Sequence, residues 1–90
     1  MTAATADVKV LIRYFAAARA AVGFDEEYVV VHAPFTVETA LAVAVRRHGL
    51  DLKEVLTRCS FLLDEVAVHG VTSPVFDGQA IDVLPPFAGG

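Results

Sequence analysis

The residues whose types and spacing could do chemistry lie at the C-terminal end: Pro85-Pro86-Phe87-Ala88-Gly89-Gly90. Two prolines hold the chain extended and cannot donate to a sheet, so they project the last four residues away from a folded body. Phe87 can anchor on a partner. Ala88, Gly89 and Gly90 have almost no side-chain bulk and could thread a narrow channel, and glycine permits close backbone approach to a bound nucleotide. The group delivered in this way is the carboxylate of Gly90. A bare Gly-Gly is a weak motif, because many chains end in small residues. Placed after a final strand and a Pro-Pro-Phe-Ala segment, it points to a carboxylate presented to another protein's active site.

The other reactive side chains are less promising. Cys59, the single cysteine, stands between Arg58 and Ser60 at the start of an apolar run. Arg58 could lower its pKa, but lone cysteines in such places are mostly small buried hydrophobes, and no catalytic role is expected. His32, His48 and His69 are far apart and lack paired ligands at zinc-like spacing, so no metal site is expected. Arg46-Arg47-His48 sits at a helix C-terminus, where the helix dipole accounts for cations. Asp25-Glu26-Glu27 and Asp64-Glu65 read as solvated turns or partner-facing charges.

The elements that must position the tail are set by pattern and length. Ninety residues make one small domain whose core can fold without staples. A single cysteine rules out an internal disulfide and fits either a reducing compartment, with the cytoplasm the expected one, or indifference to redox state. No secretory leader or membrane span is expected, as the sequence has no basic n-region with an apolar stretch and no long uncharged apolar run. Seven basic and eleven acidic side chains give a net charge of −4, which repels phosphate backbones and argues against nucleic-acid binding. The 56% hydrophobic content implies either an exposed apolar patch, and so a partner, or an ordinary alanine-rich monomer.

Residues 1–7 are small and polar and are expected to fray. Val8 to Phe15 reads as a first strand with Val8, Val10, Ile12 and Tyr14 on one face. Ala16 to Val22 is a short helix stopped by Gly23. Tyr28 to His32 is a second strand, antiparallel to the first. Thr36 is an N-cap for a helix from Val37 to His48, closed by Gly49, with Val37, Leu41, Ala44, Val45 and His48 on one side. Asp51 to Thr57 adds a helical turn. Phe61-Leu62-Leu63 and Val66-Ala67-Val68, broken at Asp64-Glu65, form either one bent strand or a tight hairpin. Ala80 to Leu84 is the last strand, buried if it lies beside the first, and Pro85-Pro86 ends pairing. Residues 8–84 thus form one α+β domain with a main helix across one face of a mixed sheet, and residues 85–90 form an extended tail.

Val83-Leu84-Pro85-Pro86-Phe87-Ala88-Gly89-Gly90 resembles the C-terminus of the MoaD/ThiS family, and most of all that of molybdopterin synthase small subunits. Phe15-Ala-Ala-Ala-Arg19 with Val22-Gly23 is similar to the family's first-strand exit, and Pro74 and the Asp77-Gly78 turn match in position. The likeness covers nearly all of residues 8–90. It implies a β-grasp, ubiquitin-like fold and a sulfur carrier that is not catalytic alone. By this resemblance, an adenylating enzyme of the ubiquitin-activating type uses Mg-ATP to adenylate Gly90, with Gly89 beside it. A sulfurtransferase then supplies the sulfur of a thiocarboxylate. Docked into the large subunit of molybdopterin synthase, the thiocarboxylate would donate sulfur to cyclic pyranopterin monophosphate in molybdenum cofactor biosynthesis. No cofactor is bound permanently. The implied partner-binding residues are Phe15, Val68, Leu84, Pro85, Pro86, Phe87 and Ala88. The alternatives are a carrier for thiamine thiazole, tRNA thiolation or cysteine synthesis, a ubiquitin-like protein modifier, and an inert β-grasp module.

Overall fold

The computed structural model describes residues 7–86. The expectations for Met1 to Ala6 and for Phe87, Ala88, Gly89 and Gly90 therefore lie outside the described residues. Strand β1 (Val8–Tyr14) alternates as expected: Val10, Ile12 and Tyr14 are buried, while Lys9, Leu11 and Arg13 face the other way. Helix α1 (Ala16–Val22) ends at Gly23, whose φ of 92° lets its amide reach back to the Arg19 carbonyl. Strand β2 (Glu26–Val31) starts two residues earlier than the β-branched run suggests. Glu26 and Glu27 are strand residues, not a solvated turn, and their register with Arg13 and Ile12 is antiparallel.

Helix α2 (Val37–His48) has the expected limits. Thr36 Oγ1 accepts from the Thr39 amide, and the Val37 and Glu38 amides donate to the Ser73 and Val71 carbonyls. The turn before β5 thus satisfies N–H groups that a helix start leaves without partners. Helix α3 (Leu50–Leu56) follows directly and buries Leu52. Strands β3 (Ser60–Leu63) and β4 (Val66–Ala67) form the hairpin alternative. Asp64 and Glu65 both have positive φ, 48° and 69°, which gives the two-residue connection the backbone twist that a tight hairpin needs.

Strand β5 (Ala80–Leu84) lies in the middle of a five-stranded sheet of order β2-β1-β5-β3-β4, parallel to β1 and antiparallel to β3. Ile81 and Val83 join Val10, Ile12, Tyr14, Val29 and Val31 on the buried face, against Val37, Ala40, Leu41, Ala44 and Leu52 of the helices. Among the described residues, no helix packs on the opposite face of the sheet. This is the mixed sheet with one main helix across it that the resemblance implies, with two short helices added.

Candidate functional site

The tail is presented by β5, and the register across the sheet fixes what surrounds its exit. Tyr14 pairs with Val83, and Val83 with Phe61. One residue further, Leu84 pairs with Ser60, and β1 continues alongside into Phe15. Leu84 is half-buried, Phe15 is 41% exposed, Pro85 is half-buried and Pro86 is exposed. Among the candidate docking residues, Phe15, Leu84, Pro85 and Pro86 therefore gather where the chain leaves the sheet. Val68 is set apart: its amide donates to the Phe61 carbonyl, which puts it in the row of Val83, two strands away. It borders a separate cleft of about 280 Å³ with Cys59, Ser60 and His69.

Beside the exit lies an ion pair that no local sequence signal announces. Asp82 is 6% exposed although it points to the helix-free face. Arg13, its register neighbour, grips it with two nitrogens, Nε on Oδ1 and Nη2 on Oδ2 at 2.9 Å, and Leu62 flanks it from β3. The hydrogen bonds to Asp82, and then its charge, raise the Arg13 pKa further above its ordinary value. A bidentate pair of this kind fixes side-chain geometry as well as charge. A cleft of about 310 Å³ opens next to it, lined by Arg13, Tyr14, Phe15, Arg19, Asp25 and Glu26. The larger concavity, about 510 Å³, lies elsewhere, between α2, α3 and Phe61.

The remaining candidates are structural. Cys59 is half-buried and its thiol donates to the Val55 carbonyl at 3.3 Å. Burial raises its pKa, and nearby Arg58 only partly opposes this, so a reactive thiolate is disfavoured. His48 and Arg47 do not merely answer the helix dipole. His48 Nε2 meets Glu27 Oε2 at 2.7 Å, Arg47 Nη1 meets Glu27 Oε1 at 2.9 Å, and the Tyr14 hydroxyl donates to Glu27 as well. Burial pushes the Glu27 carboxyl up, but the three donors outweigh it and leave it below its ordinary value. Tyr14, raised by burial and then by this bond, stays a neutral donor. Among the described residues no group of three His, Cys, Asp or Glu could hold a metal ion, and no helix is long and apolar enough to cross a membrane.

The fold is shared with known proteins. SAMP1 from Haloferax volcanii superimposes with a TM-score of 0.80 at 22% identity, covering 91% of this chain and 99% of that one. A Pyrococcus furiosus protein assigned as subunit 1 of a molybdopterin converting factor gives 0.77 at 25% identity, over 89% and 99%. The complex of subunits 1 and 2 of the molybdopterin-converting factor from Helicobacter pylori gives 0.64 at 23%, over 92% and 100%. None of the curated proteins compared with the sequence matches it. The ThiS family model matches residues 12–90, from the middle of β1 through the Gly-Gly end, and the chain belongs to this family of ubiquitin-like sulfur carriers.

Proposed function

We propose that the chain is the small, sulfur-carrying subunit of a molybdopterin synthase, working through the carboxylate of Gly90. A free carboxylate is a poor acyl donor. Attack on the α-phosphate of Mg-ATP in an adenylating partner releases pyrophosphate and makes an acyl-adenylate. A thiol reductant frees sulfide from the persulfide of a sulfurtransferase, and this sulfide then displaces AMP and leaves a thiocarboxylate. The domain's own contribution is positioning: Phe15, Leu84, Pro85 and Pro86 dock the exit, and Phe87 and Ala88 lead Gly89-Gly90 into the large subunit. The observation that carries this reading is the placement of Pro85-Pro86 directly after the central strand β5, beside exposed Phe15. The likeness to a molybdopterin converting factor subunit supports the choice of pathway. A second reading, a protein modifier, is favoured by the close superposition on SAMP1.

One experiment separates these. The protein is incubated with an adenylating enzyme, ATP and a sulfur source, and its intact mass is measured. A gain equal to one oxygen exchanged for sulfur, followed by sulfur transfer to cyclic pyranopterin monophosphate when the large subunit is added, is the expected result. No gain with any partner would refute the carrier role. A gain without pterin product would refute the molybdopterin assignment, and high-mass conjugates would establish the modifier.

A further inference from the structure

The strand at one edge of the sheet, β2, is six residues long and reads Glu-Glu-Tyr-Val-Val-Val, with no proline or lysine to blunt it. Edge strands of this kind are templates for pairing with another chain. The Tyr14 amide donates to the Asp25 carbonyl, and the Lys9 carbonyl and Leu11 amide turn away from β2 toward the Gly78-Gln79 turn. By the antiparallel alternation, the backbone groups of Asp25, Glu27, Val29 and Val31 point at β1, and those of Glu26, Tyr28 and Val30 point outward. One of these outward groups is taken. Arg47 reaches over from the end of α2, and its Nη1 donates to the Tyr28 carbonyl at 2.9 Å while also holding Glu27 Oε1 at 2.9 Å. The Tyr28 and Val30 side chains, 55% and 45% exposed, stand beside it on the helix-free face.

We propose that β2 is a self-pairing edge whose occupant is β2 of a second copy of this chain, and that Arg47 keeps it shut. The self-complementary register places Val29 against Val29 of the second copy. Tyr28 and Val30 then exchange backbone hydrogen bonds with Val30 and Tyr28 across the two-fold axis. Their side chains form aromatic–β-branched pairs, which stabilise sheets. Glu26 falls opposite His32 of the second copy, carboxylate against imidazole. A two-fold centred on Tyr28 instead sets Glu26 against Val30, which wastes both. In either register the Tyr28 carbonyl must accept from the incoming strand, so the guanidinium on it has to leave first. The proposal stands apart from the role of Gly90, since β2 lies two strands from β5.

The test is analytical ultracentrifugation of the full chain and of Arg47→Ala over a concentration series, with amide hydrogen exchange read in parallel. The wild type is expected to sediment as a monomer with fast exchange at Tyr28 and Val30. Arg47→Ala is expected to dimerise with a Kd lower by about tenfold or more, the change expected when a competing hydrogen bond is removed. Its Tyr28 and Val30 amides should become protected at high concentration. Adding Val30→Pro, which deletes an outward N–H that an edge tolerates losing, should return it to a monomer. A folded Arg47→Ala that stays monomeric, a dimer that leaves those two amides unprotected, or a dimer that survives Val30→Pro would each overturn the proposal. If Arg47→Ala does not fold, Arg47→Gln is read in the same way, and failure of both to fold would make Arg47 a packing residue and end the idea.

Discussion

Removing the Glu27 carboxylate should be among the most damaging single changes in this domain. Its side chain is 12% exposed and receives three donors from two elements: Tyr14 on β1, and Arg47 and His48 at the end of α2. In Glu27→Ala the Tyr14 hydroxyl, on a residue 2% exposed, loses its acceptor where water cannot replace it, at a cost of about 1–3 kcal/mol. The bond to half-buried His48 adds about 1 kcal/mol, while that to Arg47, 45% exposed, adds little. The sum is about 3 kcal/mol, a large share of the roughly 5–15 kcal/mol that holds a domain together. At about 4–8 °C per kcal/mol for a chain of this size, Tm should fall by about 12–24 °C. Tyr14→Phe should cost about 1 kcal/mol, because Glu27 keeps two donors and no group is orphaned. In the double variant the two losses should overlap by about 1 kcal/mol. Urea titrations followed by far-UV circular dichroism suit a chain without tryptophan. A loss under about 1 kcal/mol in Glu27→Ala, or strict additivity in the double variant, would refute the network's place in the fold.

The same carboxylate sets an acid limit. Its folded pKa is below the ordinary 4.5, so its stabilising effect is full above that value and is lost as pH falls through the folded pKa. Thermal melts between pH 6 and pH 3 should show that loss, and Glu27→Gln should flatten it; an unchanged slope would argue against this assignment. Glu65→Gly should stabilise the hairpin by about 0.5–1 kcal/mol, since a φ of 69° strains any residue with a Cβ, and a lower Tm would contradict this. Cys59→Ser should leave sulfur loading intact in the mass assay, whereas complete loss of loading would restore a catalytic reading of that thiol.

Elements governed by local signals are legible in the residues themselves. The limits of α2 are marked by Thr36 and Gly49, and the end of β5 by Pro85. The reading of the tail rests on what its residues lack, and its last four residues lie outside the described structure. The ion pairs are not. Asp82 alternates with Ile81 and Val83 and so reads as solvent-facing, and only the parallel register brings in Arg13 from 69 residues away to cover it. Glu27 sits in an acidic triplet that resembles a turn, yet strand alternation places it in line with Val29 and Val31, where Tyr14 and His48 supply its donors. Asp64-Glu65 lacks the glycine that announces a tight hairpin, so a bent strand is equally compatible with the sequence there. Val68 and Leu84 look equivalent as apolar residues near strand ends, and only the sheet register separates them by row.

The central place of β5 also has a mechanical meaning. A pull on the tail acts along β5, which is joined to β1 by four register pairs on one side and to β3 by four on the other. Those ladder bonds carry the load together, in shear, instead of opening one after another as they would if a terminal edge strand were peeled away. Resistance to such a pull is a matter of unfolding rate under load, and a strand gripped on both flanks raises that barrier. On the function proposed above, the enzymes that draw in the tail, react with it and let it go would tug repeatedly without unravelling the domain behind it.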